Sequence, residues 1–276
     1  MLCYSTGSLP DGLPFASIAD ILGSTPFAGV ELVVTPAMLE RAGEPRYWEG
    51  IRDSFMAKGL AFRNVHLGAP LLMGPRAHRP GLSSLNPADR AVKIEAAVSC
   101  MVIAKALACP HLTLTTGLTE SEDQRGAQED AFREALGELV RRKPRSLKIL
   151  IEQEPEHAVN SAAQLLSIGR AFPGEVYANF DVGHSHVIGE DIASAIRSLG
   201  PLLRNIHFED IQGRVHVHKL FGDGDVDFAA IFHALHDIGY RGDFTPDLYP
   251  FKDEYLPAIN ASVAFLRHFG ALTPAL

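Results

Sequence analysis

Eight short apolar runs, each followed by a stretch with helical spacing, limit the folds open to this chain more than any other feature. The runs are LCYST (2–6), GVELVV (29–34), FRNVHL (62–67), HLTLTT (111–116), LKILIEQ (147–153), VYANFD (176–181), RNIHFED (204–210) and GDFTPDLY (242–249). Repeated strand–helix units indicate a parallel sheet, and eight of them predict a closed (β/α)8 TIM barrel. An open doubly wound sheet is the alternative, but no GxGxxG motif follows the first run. Because no linker divides the sequence, we expect one domain over residues 1–276.

The helical stretches between the runs carry recognisable start signals and apolar faces. In 86–108, Asn86 is a plausible N-cap and Pro87 suits the first helical position. Segments 129–142 and 227–240 have the same periodicity. The residues of 86–108 predicted to face the core are Val92, Ala96, Cys100, Ile103 and Leu107.

Composition excludes several classes of partner. A net charge of −8 and a pI near 5.8 argue against a surface built for nucleic acid. The three cysteines have no spacing that suggests disulfides or a CxxC metal site, and no apolar run is long enough to cross a membrane. We therefore expect a cytoplasmic protein with no nucleic-acid or membrane partner.

Ionisable residues end several of the predicted strands. In a (β/α)8 barrel these ends meet at one mouth, where polar residues serve function rather than stability. The strand-end residues are His66, Glu152, Asp181, His207 and Asp247. Converging carboxylates repel one another unless a cation neutralises them. The oxygen-rich set predicts one divalent metal ion, with Mn²⁺, Mg²⁺ or Co²⁺ favoured and Zn²⁺ also compatible.

Six motifs together give the chain a specific resemblance to a known superfamily. They are GVEL (29–32), ILIEQEP (149–155), NFDVGHSH (179–186), NIHFEDI (205–211), HVHKLFGDGDVDF (216–228) and GYRGDFTPDLYP (239–250). With them the chain resembles the xylose-isomerase-like TIM barrels, which include sugar isomerases and epimerases, inosose dehydratases and apurinic endonucleases.

The resemblance implies roles for particular residues. Matched by motif, the family's metal carboxylates fall on Glu152 and Asp181, and its metal imidazole falls on His207. The family's last strand usually ends on Glu, whereas this chain has Asp247, which is shorter by one methylene. Glu152 and Asp247 are also the predicted catalytic acid–base pair, since they approach the metal from opposed sides of the mouth.

The residues predicted to contact the substrate surround this metal. They are His66, Glu154, His184, Arg214 and His218. The segment 68–87 is expected to shape the pocket. The implied partner is a small carbohydrate-like molecule, and the resemblance allows a homodimer.

Four functions fit this pattern. The first is a metal-dependent sugar or polyol isomerase or epimerase, which removes a proton next to a metal-bound carbonyl. A dehydratase with the same base is the second. The third is an endonuclease-like phosphodiesterase with several metals, for which His66, His184, His216 and His218 offer extra ligands, although Thr115-Thr116-Gly117 replaces that group's histidine at the fourth strand. The fourth is a non-catalytic accessory barrel, suggested only by the Asp at 247.

Overall fold

Eight parallel strands form a barrel in the computed structural model, which describes residues 1–68 and 79–270. The strands are β1 (Cys3–Ser5), β2 (Gly29–Val33), β3 (Ala61–Leu67), β4 (His111–Leu114), β5 (Lys148–Glu152), β6 (Val176–Asp181), β7 (Leu203–Phe208) and β8 (Asp243–Pro246). They pair in chain order, and a parallel bridge between Leu2 and Phe244 brings the first strand against the last. The predicted TIM barrel is confirmed, and every predicted run contains a strand.

Helices cover the outside of the barrel between successive strands. They are α1 (Phe15–Gly23), α2 (Pro36–Glu40), α3 (Pro45–Met56), α4 (Pro87–Ala106), α5 (Arg125–Arg142), α6 (Ala162–Ala171), α7 (Val182–Ile188), α8 (Ile192–Leu199), α9 (Phe228–Asp237) and α10 (Tyr255–Gly270). The predicted N-cap of α4 is confirmed, because the Asn86 side chain accepts a hydrogen bond from the Ala88 amide. Within the two described ranges, none of these helices has both the length and the apolar character of a membrane span.

The predicted pocket segment 68–87 is described only in part, since residues 69–78 lie outside the described residues. The part that follows runs over the barrel rim. Ser83 binds the carbonyl of Thr116 through both its amide and its hydroxyl, which ties this segment to the end of β4.

The predicted core face of α4 is wrong at its first position. Val92 is 61% exposed, and the neighbouring Lys93 is buried in its place. Cys100, Ile103 and Leu107 do face the core as expected. The spacing of apolar residues predicted Val92 on the buried face of α4. In the structure, the buried face begins with Lys93 and Ile94.

Lys93 gives a testable pH effect on stability. Burial lowers the pKa of its amine from 10.5 to about 8. Because the unfolded chain holds this proton more tightly, the group destabilises the fold below pH 8, and the penalty disappears as the pH rises towards 10.5. Lys93→Met should raise the free energy of unfolding at pH 7 by about 1–3 kcal/mol, with the gain shrinking between pH 8 and 10.

Urea denaturation across that pH range measures the effect. Lys105→Met is the matched control, since Lys105 is exposed on the same helix. A pH-independent difference between wild type and Lys93→Met would contradict the assignment.

A layer of polar side chains fills the barrel interior below its mouth. This polar belt consists of Glu31, Asn64, Thr113, Asn205 and Thr245, each at most 2% exposed. Interior layers of such barrels are usually branched apolar residues. Here hydrogen bonds span the interior, including one of 3.5 Å from Asn205 Nδ2 on β7 to Glu31 Oε2 on β2. The belt forms a fixed polar floor beneath the strand ends.

Candidate active site

The four predicted metal ligands lie together at the carboxyl ends of adjacent strands. Glu152 and Asp181 are the last residues of β5 and β6, His207 precedes the last residue of β7, and Asp247 directly follows β8. Parallel pairing sets Asp181 beside His207. The first three are at most 2% exposed, whereas the Asp247 side chain is 19% exposed at the mouth.

The spacing of these side chains suits ligands of one ion. His207 Nδ1 lies 2.8 Å from Glu152 Oε1 and 3.8 Å from Asp181 Oδ2. One ligand atom from each of Asp181, His207 and Asp247 lies within 4.8 Å of the others. Ligands about 2.1 Å from a cation stand roughly 3 Å apart. Asp181, His207 and Asp247 are therefore spaced for one divalent ion, and Glu152 forms a second group within 4.8 Å with Asp181 and His184.

Unpartnered polar atoms provide an independent test of that fit. Glu152 Oε2, Asp181 Oδ2 and His207 Nδ1 are buried and make no hydrogen bond within the described residues. The 2.8 Å contact between His207 and Glu152 is close but not aligned as a hydrogen bond. Buried polar atoms normally have partners. Asp181 Oδ2 and His207 Nδ1 lie 3.8 Å apart and fit a bound cation between them. Glu152 Oε2 lies instead 2.9 Å from His66 Nε2, and the Glu152 oxygen next to His207 is Oε1.

The two carboxylate oxygens of Asp181 have different roles. It is the N-cap of α7, where Oδ1 accepts a 2.7 Å hydrogen bond from the His184 amide. The other oxygen, Oδ2, lies 3.8 Å from His207 Nδ1. The sequence DVGH thus folds so that one carboxylate both starts a helix and presents a single oxygen to the barrel axis.

Neighbouring charges oppose the effect of burial at Glu152 and His207, whereas burial raises the pKa of Asp247. Burial by itself would raise the pKa of Glu152, but the imidazoles of His207 and His66 outweigh it and hold the pKa well below its usual range. Burial would likewise lower the pKa of His207, but the carboxylates of Glu31 and Glu152 raise it well above 6.5. The cluster therefore balances charge by close pairing of acids with imidazoles.

His66 packs against two buried carboxylates of the site. Its Nε2 is 2.9 Å from Glu152 Oε2, its Nδ1 is 3.6 Å from Glu31 Oε1, and it is 7% exposed. These neighbours raise its pKa to about 10 against the opposing effect of burial. The structure thus places His66 against the predicted catalytic base.

His184 and His218 present the same ring edge to the mouth. His184 Nδ1 donates to the Gln153 carbonyl and His218 Nδ1 donates to the Asp247 carbonyl, each at 2.7 Å. A carbonyl only accepts, so Nδ1 of each ring carries a proton and Nε2 is left for another partner. His218 Nε2 lies 3.3 Å from His216 Nε2, and the three histidines could jointly hold an ion.

The two remaining predicted substrate residues differ in position. Glu154 is 8% exposed, and its Oε2 lies 3.9 Å from His184 Nε2. Burial raises the pKa of Glu154 to about 7, so it can exchange a proton near neutral pH. Arg214 is exposed and donates to the His186 carbonyl at the end of α7, which places it at the rim, away from the metal cluster.

Sequence reasoning missed two buried acids of the site, Glu31 and Glu209. Both are 0% exposed. Glu31 is a lone charge inside the apolar run GVELVV, and Glu209 lies two residues after His207, hence on the same strand face. Glu209 packs so closely on α7 that a methyl group at Gly183 would come within 1.8 Å of its Oε1. The alternation of side chains along a strand is the sequence signal that could have identified both acids.

The loop after β7, which carries His216 and His218, is organised by Asp210. The Asp210 carboxylate accepts hydrogen bonds from the amides of Gly222, Gly224 and Val226 at 2.8–3.2 Å. A side chain at Gly224 would collide with this carboxylate at 2.3 Å. The glycine-rich sequence GDGD is therefore needed for the loop to wrap around one acid.

Comparison with known proteins identifies the family. A family model described as "Xylose isomerase-like TIM barrel" matches residues 22–268. The chain belongs to this family.

Individual relatives are distant. A D-psicose 3-epimerase from Clostridium cellulolyticum H10, solved with D-tagatose, has a TM-score of 0.78 and 13% identity over 98% of each chain. A structure of the IolI protein with a zinc atom has a TM-score of 0.79 and 16% identity over 99% of each chain. An uncharacterized protein of Methanocaldococcus jannaschii is 26% identical over 96 residues, which cover 31% of this chain and 33% of that protein. The chain thus matches about a third of this relative's length, and the two structures show a shared fold.

Proposed function

We propose that the protein is a divalent-metal-dependent isomerase or epimerase of a sugar or polyol. The observation that carries the proposal is the buried cluster of Glu152, Asp181 and His207 at the barrel mouth, in which Asp181 Oδ2 and His207 Nδ1 make no hydrogen bond within the described residues. Asp247 beside them supplies a third carboxylate. The structural neighbours support the substrate class, because they include epimerases solved with D-fructose and D-tagatose. The zinc atom bound in the IolI structure supports a metal ion as cofactor.

Glu152 and Asp247 are the two carboxylates proposed to transfer the proton. A divalent ion held by the four ligands would polarise a substrate carbonyl and acidify the neighbouring C–H bond. Glu152, fixed by contacts of 2.8 and 2.9 Å with two imidazoles, is the base that removes this proton. Asp247 comes from β8, across the barrel from β5. It returns a proton to the opposite face, which gives epimerisation, or to the adjacent carbon, which gives isomerisation.

His184 is the proposed donor to the substrate oxygen that gains negative charge. Burial lowers the pKa of His184, but Asp181 and Glu154 outweigh it and raise the pKa to about 9. At pH 7 the ring therefore donates from Nδ1 to Gln153 and has a second N–H, on Nε2, for the substrate. Glu154 and His218 line the same space, His66 fixes the base, and Arg214 is left to bind a distal part of the substrate.

Metal analysis of the purified protein tests the proposal. Wild type is expected to hold one Mn²⁺, Mg²⁺ or Co²⁺ per chain after equilibration, or Zn²⁺ if only that is supplied. A variant with alanine at positions 152, 181, 207 and 247 should hold none. Stoichiometric metal in the fourfold variant would place the ion elsewhere and overturn the proposed ligand set.

Removal of the His184 ring should separate substrate binding from metal binding. His184→Ala is expected to leave the metal content at the wild-type value and to reduce kcat/KM by about 10²-fold, because the donor to the developing charge is lost. Steady-state kinetics with D-tagatose or D-fructose, alongside metal analysis, measures both quantities. His186→Ala is the matched control, since His186 lies on the same helix but pairs with Asp225 at the rim.

A multinuclear phosphodiesterase is the second candidate, and the His184–His216–His218 cluster is the specific observation in its favour. Against it, β4 leads into Thr115 and Thr116 rather than a histidine. The two candidates differ in metal stoichiometry. Three ions per chain, with His184→Ala losing one of them, would favour hydrolysis over the proposed isomerase chemistry.

A further inference from the structure

Glu31 is fully buried in the polar belt and contacts a proposed metal ligand from below. Its Oε2 lies 2.9 Å from His207 Nε2. The opposite ring nitrogen, His207 Nδ1, faces Glu152 and Asp181. The imidazole thus stands between a carboxylate underneath it and the ligand cluster above it.

The belt is arranged to supply Glu31 with donors. Asn64 Nδ2 donates to Glu31 Oε2 at 2.7 Å, and Asn205 Nδ2 does so at 3.5 Å. The carbonyl oxygen of each amide accepts a 3.0 Å hydrogen bond from a threonine hydroxyl, Thr113 for Asn64 and Thr245 for Asn205. With the carbonyl ends occupied, both amides must turn their N–H groups towards Glu31.

We propose that Glu31 is a positioning residue that fixes the ring of His207, with Nε2–H donated to the carboxylate and Nδ1 directed at the metal. A ligand histidine whose other nitrogen donates to a carboxylate is held in one orientation and becomes a stronger ligand. The inference rests on the proposed function, because it assigns His207 as a ligand.

The alternative that Glu31 is itself a ligand is disfavoured by its hydrogen bonds. Glu31, His66 and His207 lie close enough to hold an ion. However, Glu31 Oε2, the oxygen next to His207, already accepts from three N–H groups. The other oxygen, Oε1, makes no hydrogen bond within the described residues and lies 3.6 Å from His66 Nδ1, not beside His207. Glu31 Oε2 is therefore placed to accept a hydrogen bond from His207 rather than to bind the metal.

Metal affinity of two Glu31 variants tests the inference. Glu31→Ala removes the acceptor and should raise the dissociation constant for Mn²⁺ or Zn²⁺ by about 100-fold. Glu31→Gln keeps an acceptor oxygen but loses the charge, so it should recover part of the affinity and bind about tenfold more weakly than wild type. Competition with a chromophoric chelator measures these constants, and melting in EDTA measures folding separately.

Glu40→Gln is the matched control. It makes the same chemical change at an exposed position at the end of α2, the helix that follows β2, and should leave the metal dissociation constant within about twofold. Wild-type affinity in Glu31→Gln and Glu31→Ala would overturn the inference. So would the loss of one whole ion per chain with the remaining affinity unchanged, since Glu31 would then be a ligand.

A crystal structure of metal-free Glu31→Ala, or of Glu31→Gln if the alanine variant does not fold, separates this inference from the proposed function. The His207 ring is expected to rotate or to occupy two orientations, whereas it should stay fixed in Glu40→Gln. A single unchanged ring would contradict the positioning role. Wild-type protein that binds no divalent ion would overturn the proposed function, and the ring orientation would still decide the role of Glu31.

Discussion

Glu152→Gln is expected to reduce kcat by roughly 10³-fold or more, because an amide cannot accept the substrate proton. The substitution preserves the shape of a side chain that is 2% exposed and wedged between two imidazoles. It also removes one negative charge from the ligand set, so metal binding should weaken as well. The rate must therefore be measured at saturating metal, by conversion of D-fructose, D-tagatose or D-psicose.

Glu156→Gln is the matched control for this experiment, since Glu156 is exposed in the loop that follows the same strand. It should have wild-type activity. If Glu152→Gln turned over at more than a tenth of the wild-type rate with metal bound, Glu152 would not be the base.

Asp247→Glu is expected to lower activity on the order of 100-fold, although it restores the residue that the family usually has. Asp247 already has a carboxylate oxygen within 4.8 Å of ligand atoms on Asp181 and His207. Two hydrogen bonds fix the backbone of Asp247. Its amide donates to the Phe208 carbonyl, and its carbonyl accepts from His218 Nδ1. An added methylene, about 1.5 Å long, would push the carboxylate into the cluster rather than extend it to an empty position.

Two further variants decide how Asp247 acts. Asp253→Glu makes the same chemical change at an exposed position nearby and should be neutral. Asp247→Asn should retain the fold and lose turnover. Full metal binding with undiminished turnover in Asp247→Asn would show that this carboxylate has no role, and higher proton exchange in Asp247→Glu would show that the native Asp is too short to act as a base.

The fold could be predicted from the sequence because its signals are local and repeated. Each strand is a short apolar run, and some helices also have a capping side chain that the sequence reveals, such as Asn86 in α4. The error at Val92 and Lys93 arose because helical spacing allows two neighbouring stripes, and only the packing of the helix on the barrel selects one. Such a choice depends on tertiary contacts that a periodic pattern does not contain.

The site could be predicted in part. Strand ends located Glu152, Asp181 and His207 because parallel strands bring their carboxyl ends to one mouth. Glu31 was missed because its role depends on contacts with β3 and β7, more than 30 and 170 residues away in sequence. Arg214 was expected near the substrate from its loop, but its rim position follows from a hydrogen bond to α7.

Solvent deuterium exchange tests the central claim most directly. Metal-loaded wild-type protein, incubated in D₂O with D-fructose, D-tagatose or D-psicose, should incorporate deuterium at a carbon next to the carbonyl, as followed by proton NMR. Incorporation should stop on removal of the metal with EDTA, and in Glu152→Gln. No incorporation into any of these sugars by protein that holds its stoichiometric metal would contradict the proposed proton transfer.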